Sequence, residues 1–118
     1  MKFSITENKL DRIIDSFITK QFEDLKPIKE GNLVVWVDPD KKPYVLIKHY
    51  DNGDYDINIL ESIYFLISDM FSIKELEDVE KYLLKWFEKH TGMIADVVFA
   101  FDNDITYEEI ISIYIKGV

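Results

Sequence analysis

The sequence has no cysteine. Disulfides, thiolate metal sites and cysteine nucleophiles are therefore excluded. Histidine is scarce, with only His49 and His90, which leaves little from which to build a zinc site. The four glycines, Gly31, Gly53, Gly92 and Gly117, are scattered, so there is no glycine-rich phosphate loop. Arginine occurs once, at Arg12, and 14 bases stand against 23 acids, a net charge of −9. A surface this acidic repels phosphate, and direct nucleic-acid binding is not expected. Long apolar runs are missing too, so no membrane span and no membrane partner are expected. Met1-Lys2 is followed by Phe-Ser-Ile-Thr-Glu-Asn rather than an apolar stretch, so no signal peptide is read and the expected location is cytoplasmic.

What is present is core material. Of 118 residues, 47% are hydrophobic and 14% aromatic, enough to offset ordering entropy in one globular domain spanning residues 1–118. The 17 isoleucines and 13 lysines, against two alanines, match an AT-rich coding sequence.

The hydrophobic period divides the chain. Leu10, Ile13, Ile14, Phe17, Ile18, Phe22 and Leu25 recur at helical spacing, with Ser4 and Glu7 placed as a capping box. Pro27 should end this helix near Leu25-Lys26. Asn32–Val37, Tyr44–Tyr50 and Asp54–Ile59 read as three strands, separated by the turn signals Asp38-Pro39-Asp40 and Asn52-Gly53. A two-residue type I′ turn at Asn52-Gly53 pairs Tyr50 with Tyr55 and His49 with Asp56. That register puts Tyr44, Leu46, Tyr50, Tyr55, Ile57 and Ile59 on the core face. Helical spacing returns from Leu60 to Phe71, and Phe65 and Leu66 widen that stripe. A second capping box, Ser72 and Glu75, opens a helix lined by Leu76, Val79, Leu83, Trp86, Phe87 and His90. Asp96–Phe101 reads as a strand and Asp102-Asn103-Asp104 as a turn. Residues 105–116 fit either a strand or a helix capped by Thr106 and Glu109; their β-branched excess selects the strand. The expected fold is α+β: N-terminal helix, three-stranded antiparallel meander, helix pair and C-terminal β-hairpin.

The segment Ile5-Thr-Glu-Asn-Lys-Leu-Asp-Arg-Ile-Ile14, with Leu84-Lys-Trp86 and Gly92, resembles small uncharacterised proteins of tailed bacteriophages with AT-rich genomes. The resemblance implies a viral protein of the host cytoplasm or the virion. It transfers no activity and no catalytic residue.

Val97-Val-Phe-Ala-Phe-Asp102-Asn-Asp104-Ile-Thr106 resembles the first motif of the haloacid-dehalogenase phosphohydrolases. That likeness implies a nucleophile at Asp102, a general acid/base at Asp104, and Mg²⁺. The family also draws a lysine and further acids from a parallel sheet, mostly downstream, and only twelve residues follow Thr106. The segment is therefore read as a turn, with no catalytic, cofactor-binding or metal-ligating residue assigned. A Ca²⁺ loop opening at Asp102, Asp104 and Thr106 would need Gly and Glu where Tyr107 and Ile113 stand, which excludes an EF-hand. His49 beside Asp56 reads as a cross-strand charge pair, and His90 as a packing or capping residue near a helix C-terminus. Trp86, Phe87 and Tyr82 read as core.

The remaining feature is a clustering of turn carboxylates. Asp38 and Asp40 fall in one turn, Asp51, Asp54 and Asp56 around another, and Asp102 and Asp104 in a third. Gathered on one side, they would form an acidic interaction surface with a focused field. The leading expectation is a non-catalytic protein-interaction or structural protein with a protein partner and no cofactor. The alternative is an acidic mimic of DNA that occupies a basic groove, and a metal-dependent enzyme ranks third. The long stripe of the first helix also makes a second copy of the chain an expected partner.

Overall fold

The computed structural model describes residues 2–116, with side chains for residues 9–114. Helix α1 (Lys2–Phe22) leads into strands β1 (Lys26–Glu30), β2 (Leu33–Val37), β3 (Pro43–His49) and β4 (Tyr55–Leu60). Helices α2 (Glu61–Phe71) and α3 (Leu76–Thr91), strand β5 (Val98–Phe101) and helix α4 (Tyr107–Ile111) follow, and a π-helical turn continues over Ser112–Lys116. The strands form one mixed sheet in chain order, antiparallel from β1 to β4 and parallel between β4 and β5. The fold is α+β, but the meander has four strands with a fifth added parallel, and the C-terminal segment is helical instead of a β-hairpin.

Each difference has a local cause. The first helix ends at Phe22, not Leu25, and the residues around Pro27 pair as an edge strand against β2. Lys26, Pro27, Lys29 and Glu30 are exposed, so β1 carries no alternating apolar signature. Helix α1 starts at Lys2, ahead of Ser4; the Ser4 and Glu7 side chains lie outside the described residues. Ser72 is not an N-cap: it ends α2 in the left-handed region at φ 53°, and Glu75 precedes α3 without a side-chain cap. At the C-terminus the helical alternative wins. Thr106 accepts from the Glu109 N–H at 3.1 Å, and the Glu109 carboxylate accepts from the Thr106 N–H at 3.1 Å, a complete capping box.

The β3–β4 hairpin is one residue longer than a two-residue turn. Gly53 N–H donates to Tyr50 O, and Tyr50 N–H to Asp54 O, both at 3.0 Å. Asp51, Asn52 and Gly53 thus form a three-residue loop. A type I′ turn needs φ > 0 at both central residues, but only Gly53 has it, at 92°. Asn52 instead accepts the Asp54 N–H on Oδ1. The register becomes His49↔Tyr55, Lys48↔Asp56 and Ile47↔Ile57. A one-residue slip turns every side chain to the other face.

That slip sets both cores. Val45, Ile47, Ile57 and Ile59 face the helices α1–α3 and pack with Ile14, Ile18, Leu83 and Phe87. Phe22, Trp36, Trp86 and Phe87 meet there at ring-centroid distances of 5.0–6.2 Å. The opposite face is covered as well. Leu33, Val35, Val37 and Leu46 lie under Tyr107 and Ile110 of α4. Each such side chain stabilises the fold by about 1.5–3 kcal/mol through burial.

Two substitutions test this arrangement by chemical denaturation. Ile110→Ala empties a fully buried site and should cost about 2–5 kcal/mol. A loss below about 1 kcal/mol would mean that α4 does not cover the sheet. Gly53→Val forces a β-branched residue into φ 92° and should cost more than about 1 kcal/mol.

Candidate interaction surface

Successive hairpin turns of a meander lie at alternate ends of the sheet. The seven turn carboxylates are divided accordingly. Asp38 and Asp40 lie at the end where β3 begins and β4 finishes, and Asp102 and Asp104 join them there because β5 runs parallel to β4. Asp51, Asp54 and Asp56 lie at the far end.

At the near end the acids serve the loops that carry them. Asp38 Oδ1 accepts the N–H groups of Asp40 and Lys42, both at 2.9 Å. Asp102 Oδ1 accepts the Asp104 N–H at 2.9 Å, closing an Asx turn. Between them Asn103 acts as a latch: its Oδ1 accepts the Ser62 N–H at 2.8 Å, and its carbonyl accepts Lys42 Nζ at 3.0 Å. The motif that resembles a phosphohydrolase thus joins the start of α2 to the β2–β3 turn, beside an edge strand. At the far end Asp54 accepts from the Asn52 amide, and Asp56 from the Tyr50 hydroxyl. That bond, more than desolvation, pushes the Tyr50 phenol above its ordinary value. Asp56 lies opposite Lys48, not His49, and His49 meets the Tyr55 ring edge-on at 4.7 Å.

His90 has a packing role. Its Nε2 is 3.0 Å from Asp15 Oδ1, and its ring stacks on Trp86 at 4.8 Å. Trp86 Nε1 donates to Thr19 at 2.9 Å, so the end of α3 is tied to α1 at two points. Among the described residues, no group of three or more His, Asp or Glu side chains is placed to hold a metal ion.

An open groove lies along β5, the terminal strand of the sheet. It has a volume of about 590 Å³ and runs between the outer edge of β5 and the first turns of α2 and α3. Phe65 and Leu76 give it apolar walls and remain 47% and 43% exposed. Glu61, Glu77, Glu80 and Asp102 line it, with no lysine or arginine among its lining residues. At its inner end Glu80 Oε2 accepts the Val98 N–H at 2.9 Å, and the Tyr64 hydroxyl donates to the Val98 carbonyl at 2.6 Å. Burial, and after it the Glu80 carboxylate, holds the Tyr64 phenol far above its ordinary 10.0. On the other face, Phe99 of β5 and Val97 just before the strand are 49% and 42% exposed, and neither packs with the core under α4.

Of these groove residues only Asp102 is among the turn acids singled out from the sequence. Phe65 and Leu66 read as widening a buried stripe, yet both are exposed, along with Met70. One signal was available: the stretch between the strands at Asp54–Ile59 and Asp96–Phe101 is long enough for the crossover that a parallel pair needs.

Comparison of the chain with protein-family models, with curated proteins and with solved structures finds no match.

Tyr64→Phe should cost about 1–2 kcal/mol at neutral pH, since the Val98 carbonyl loses its donor. The fold favours the neutral phenol, so its contribution is complete below pH 10.0 and is lost as pH rises towards the higher folded value. Denaturation from pH 8 to pH 12 should therefore show wild type losing stability more steeply than Tyr64→Phe above about pH 10. Parallel curves would remove the coupling.

Proposed function

We propose that this protein is a non-catalytic protein-interaction protein whose working surface is the β5 side of the sheet. The observation that carries this reading is the gathering of exposed apolar side chains there. Phe65, Leu76, Val97 and Phe99 surround one strand, and such a patch rimmed by polar groups marks an interaction site. The polar groups that most resemble catalytic ones support the same reading, because structural bonds occupy them: Asp102 in its Asx turn, Asp56 with Tyr50, and His90 with Asp15.

A mimic of DNA draws its strength from carboxylates set along one face. Here the seven turn acids are divided between two ends, which favours the apolar patch over the acidic turns as the contact. Self-association is a second reading, favoured by Leu10 and Ile13 at the start of the α1 stripe, which stay 40% and 47% exposed. Sedimentation at high concentration should then show a species above 14.0 kDa, and a monomer throughout would remove it.

A photo-crosslinking residue placed at Phe99 tests the main reading in the source cell, with Ile28 on the opposite edge strand as control. The expected outcome is one discrete protein adduct from position 99 and none from position 28. Equal labelling from both positions, or none from either, would overturn it.

A further inference from the structure

We propose that the outer edge of β5 accepts an extended basic segment of a partner protein as a sixth strand. The inference rests on the interaction reading above and specifies how the partner is held.

Backbone direction carries the first step. In a strand, the N–H and C=O of one residue point to the same side, and those of the next residue to the other. The Val98 groups are taken by Glu80 and Tyr64, so they point away from β4. Two residues on, the Ala100 N–H and C=O point the same way. No side chain among the described residues takes them, and Ala100 is exposed. The edge is therefore closed at Val98 and open at Ala100, beside the groove.

The two edges of the sheet differ in protection. On β1, Lys26, Pro27 and Lys29 are the residue types that blunt an edge against pairing. β5 reads Val-Phe-Ala-Phe, with neither lysine nor proline. An edge left in this state is a template for strand addition, in which main-chain bonds give affinity and alternate side chains give selectivity.

Charge selects the occupant. An added strand would point alternate side chains towards α2 and α3, where Glu61, Glu77, Glu80 and Asp102 line the groove. Lysine or arginine fits there, with its aliphatic stem on Phe65 and Leu76 and its cation at the carboxylates. The intervening side chains would lie beside Val97 and Phe99, where apolar residues fit. A second copy is disfavoured. Pairing β5 with β5 about a two-fold axis sets these carboxylates against their own copies, on molecules of charge −9. Pairing β5 with β1 of another copy meets Pro27, which has no N–H to give.

The test uses the full chain with a capped peptide of alternating lysine and valine, and its glutamate–valine counterpart as control. Amide exchange at Ala100 should slow by about tenfold or more when the lysine peptide is added, and stay unchanged with the control. Peptide affinity should fall by about tenfold or more between about 50 mM and about 500 mM salt, as expected for exposed charges. The double variant Glu61→Lys and Glu77→Lys, both at exposed first-turn positions, should lose binding by a similar factor while remaining folded, with a modestly earlier unfolding midpoint because cations oppose the helix dipoles there. Lysine-peptide binding without protection of Ala100, or no binding at all, would overturn strand addition. Protection of Ala100 by the protein alone at high concentration would give the edge to a second copy and overturn it equally. In either case a crosslink from Phe99 would leave the interaction reading standing, and its absence would remove that reading as well.

Discussion

Strand register in the β3–β4 hairpin is the constraint on which the rest of the molecule depends. Strand β3 carries apolar residues on both faces, whereas β4 sets Ile57 and Ile59 on one face against Asp56 and Asn58 on the other, so the pattern of β3 alone does not decide the register. What decides it is the cover available. With His49 opposite Tyr55, the four β-branched residues Val45, Ile47, Ile57 and Ile59 form one patch against three helices. Leu46 then joins Leu33, Val35 and Val37 in a second patch, large enough to require its own lid. Helix α4 is that lid, which explains why an isoleucine-rich tail becomes a helix across the sheet instead of extending its edge. The tail is held at its start by the Thr106–Glu109 box, and the Asn103 latch fixes where that start lies. A slip of one residue would turn one of the two strands over, setting either Leu46 and Lys48 or Asp56 and Asn58 against the helices.

The same architecture gives the sheet two unlike edges. Four strands arise by local reversal, so the first of them is free to be short, charged and interrupted by proline. The fifth arrives from a crossover of two helices and is apolar because Val98 must face the core. Its inner end is closed by two side chains from those helices, and its outer end by none among the described residues.

Much of this was legible in the sequence and some was not. Helix α3 begins at Leu76, three residues later than a cap at Ser72 would place it, while strands β2 to β5 and helix α2 follow from period and turn signals within one or two residues of their ends. β1 did not, because Lys26, Pro27, Lys29 and Glu30 face solvent on an edge and show no alternation. The hairpin register did not, because Asn52-Gly53 suits a two-residue turn and the three-residue loop with glycine at its end equally well. Residues 105–116 satisfy both periods, and there the cap at Thr106 was a better guide than β-branching. The turn acids were conspicuous by composition, while the groove acids Glu61, Glu77 and Glu80 looked like the ordinary solvent side of helices. Only the parallel placement of β5 brings them together.

Both tryptophans of the chain, Trp36 and Trp86, lie in the same aromatic cluster, 6.2 Å apart between ring centroids. One comes from the sheet and the other from α3, and Phe22 of α1 touches both. Intrinsic emission from this protein therefore reports a single locality, the seating of α1 and α3 on the sheet. Detachment of α4 from the opposite face would leave that signal almost untouched. A fluorescence melt and a far-ultraviolet circular dichroism melt, which sees helices on both faces, are thus measurements of two different things in this molecule. Their separation is a direct gauge of how cooperatively its two cores are joined.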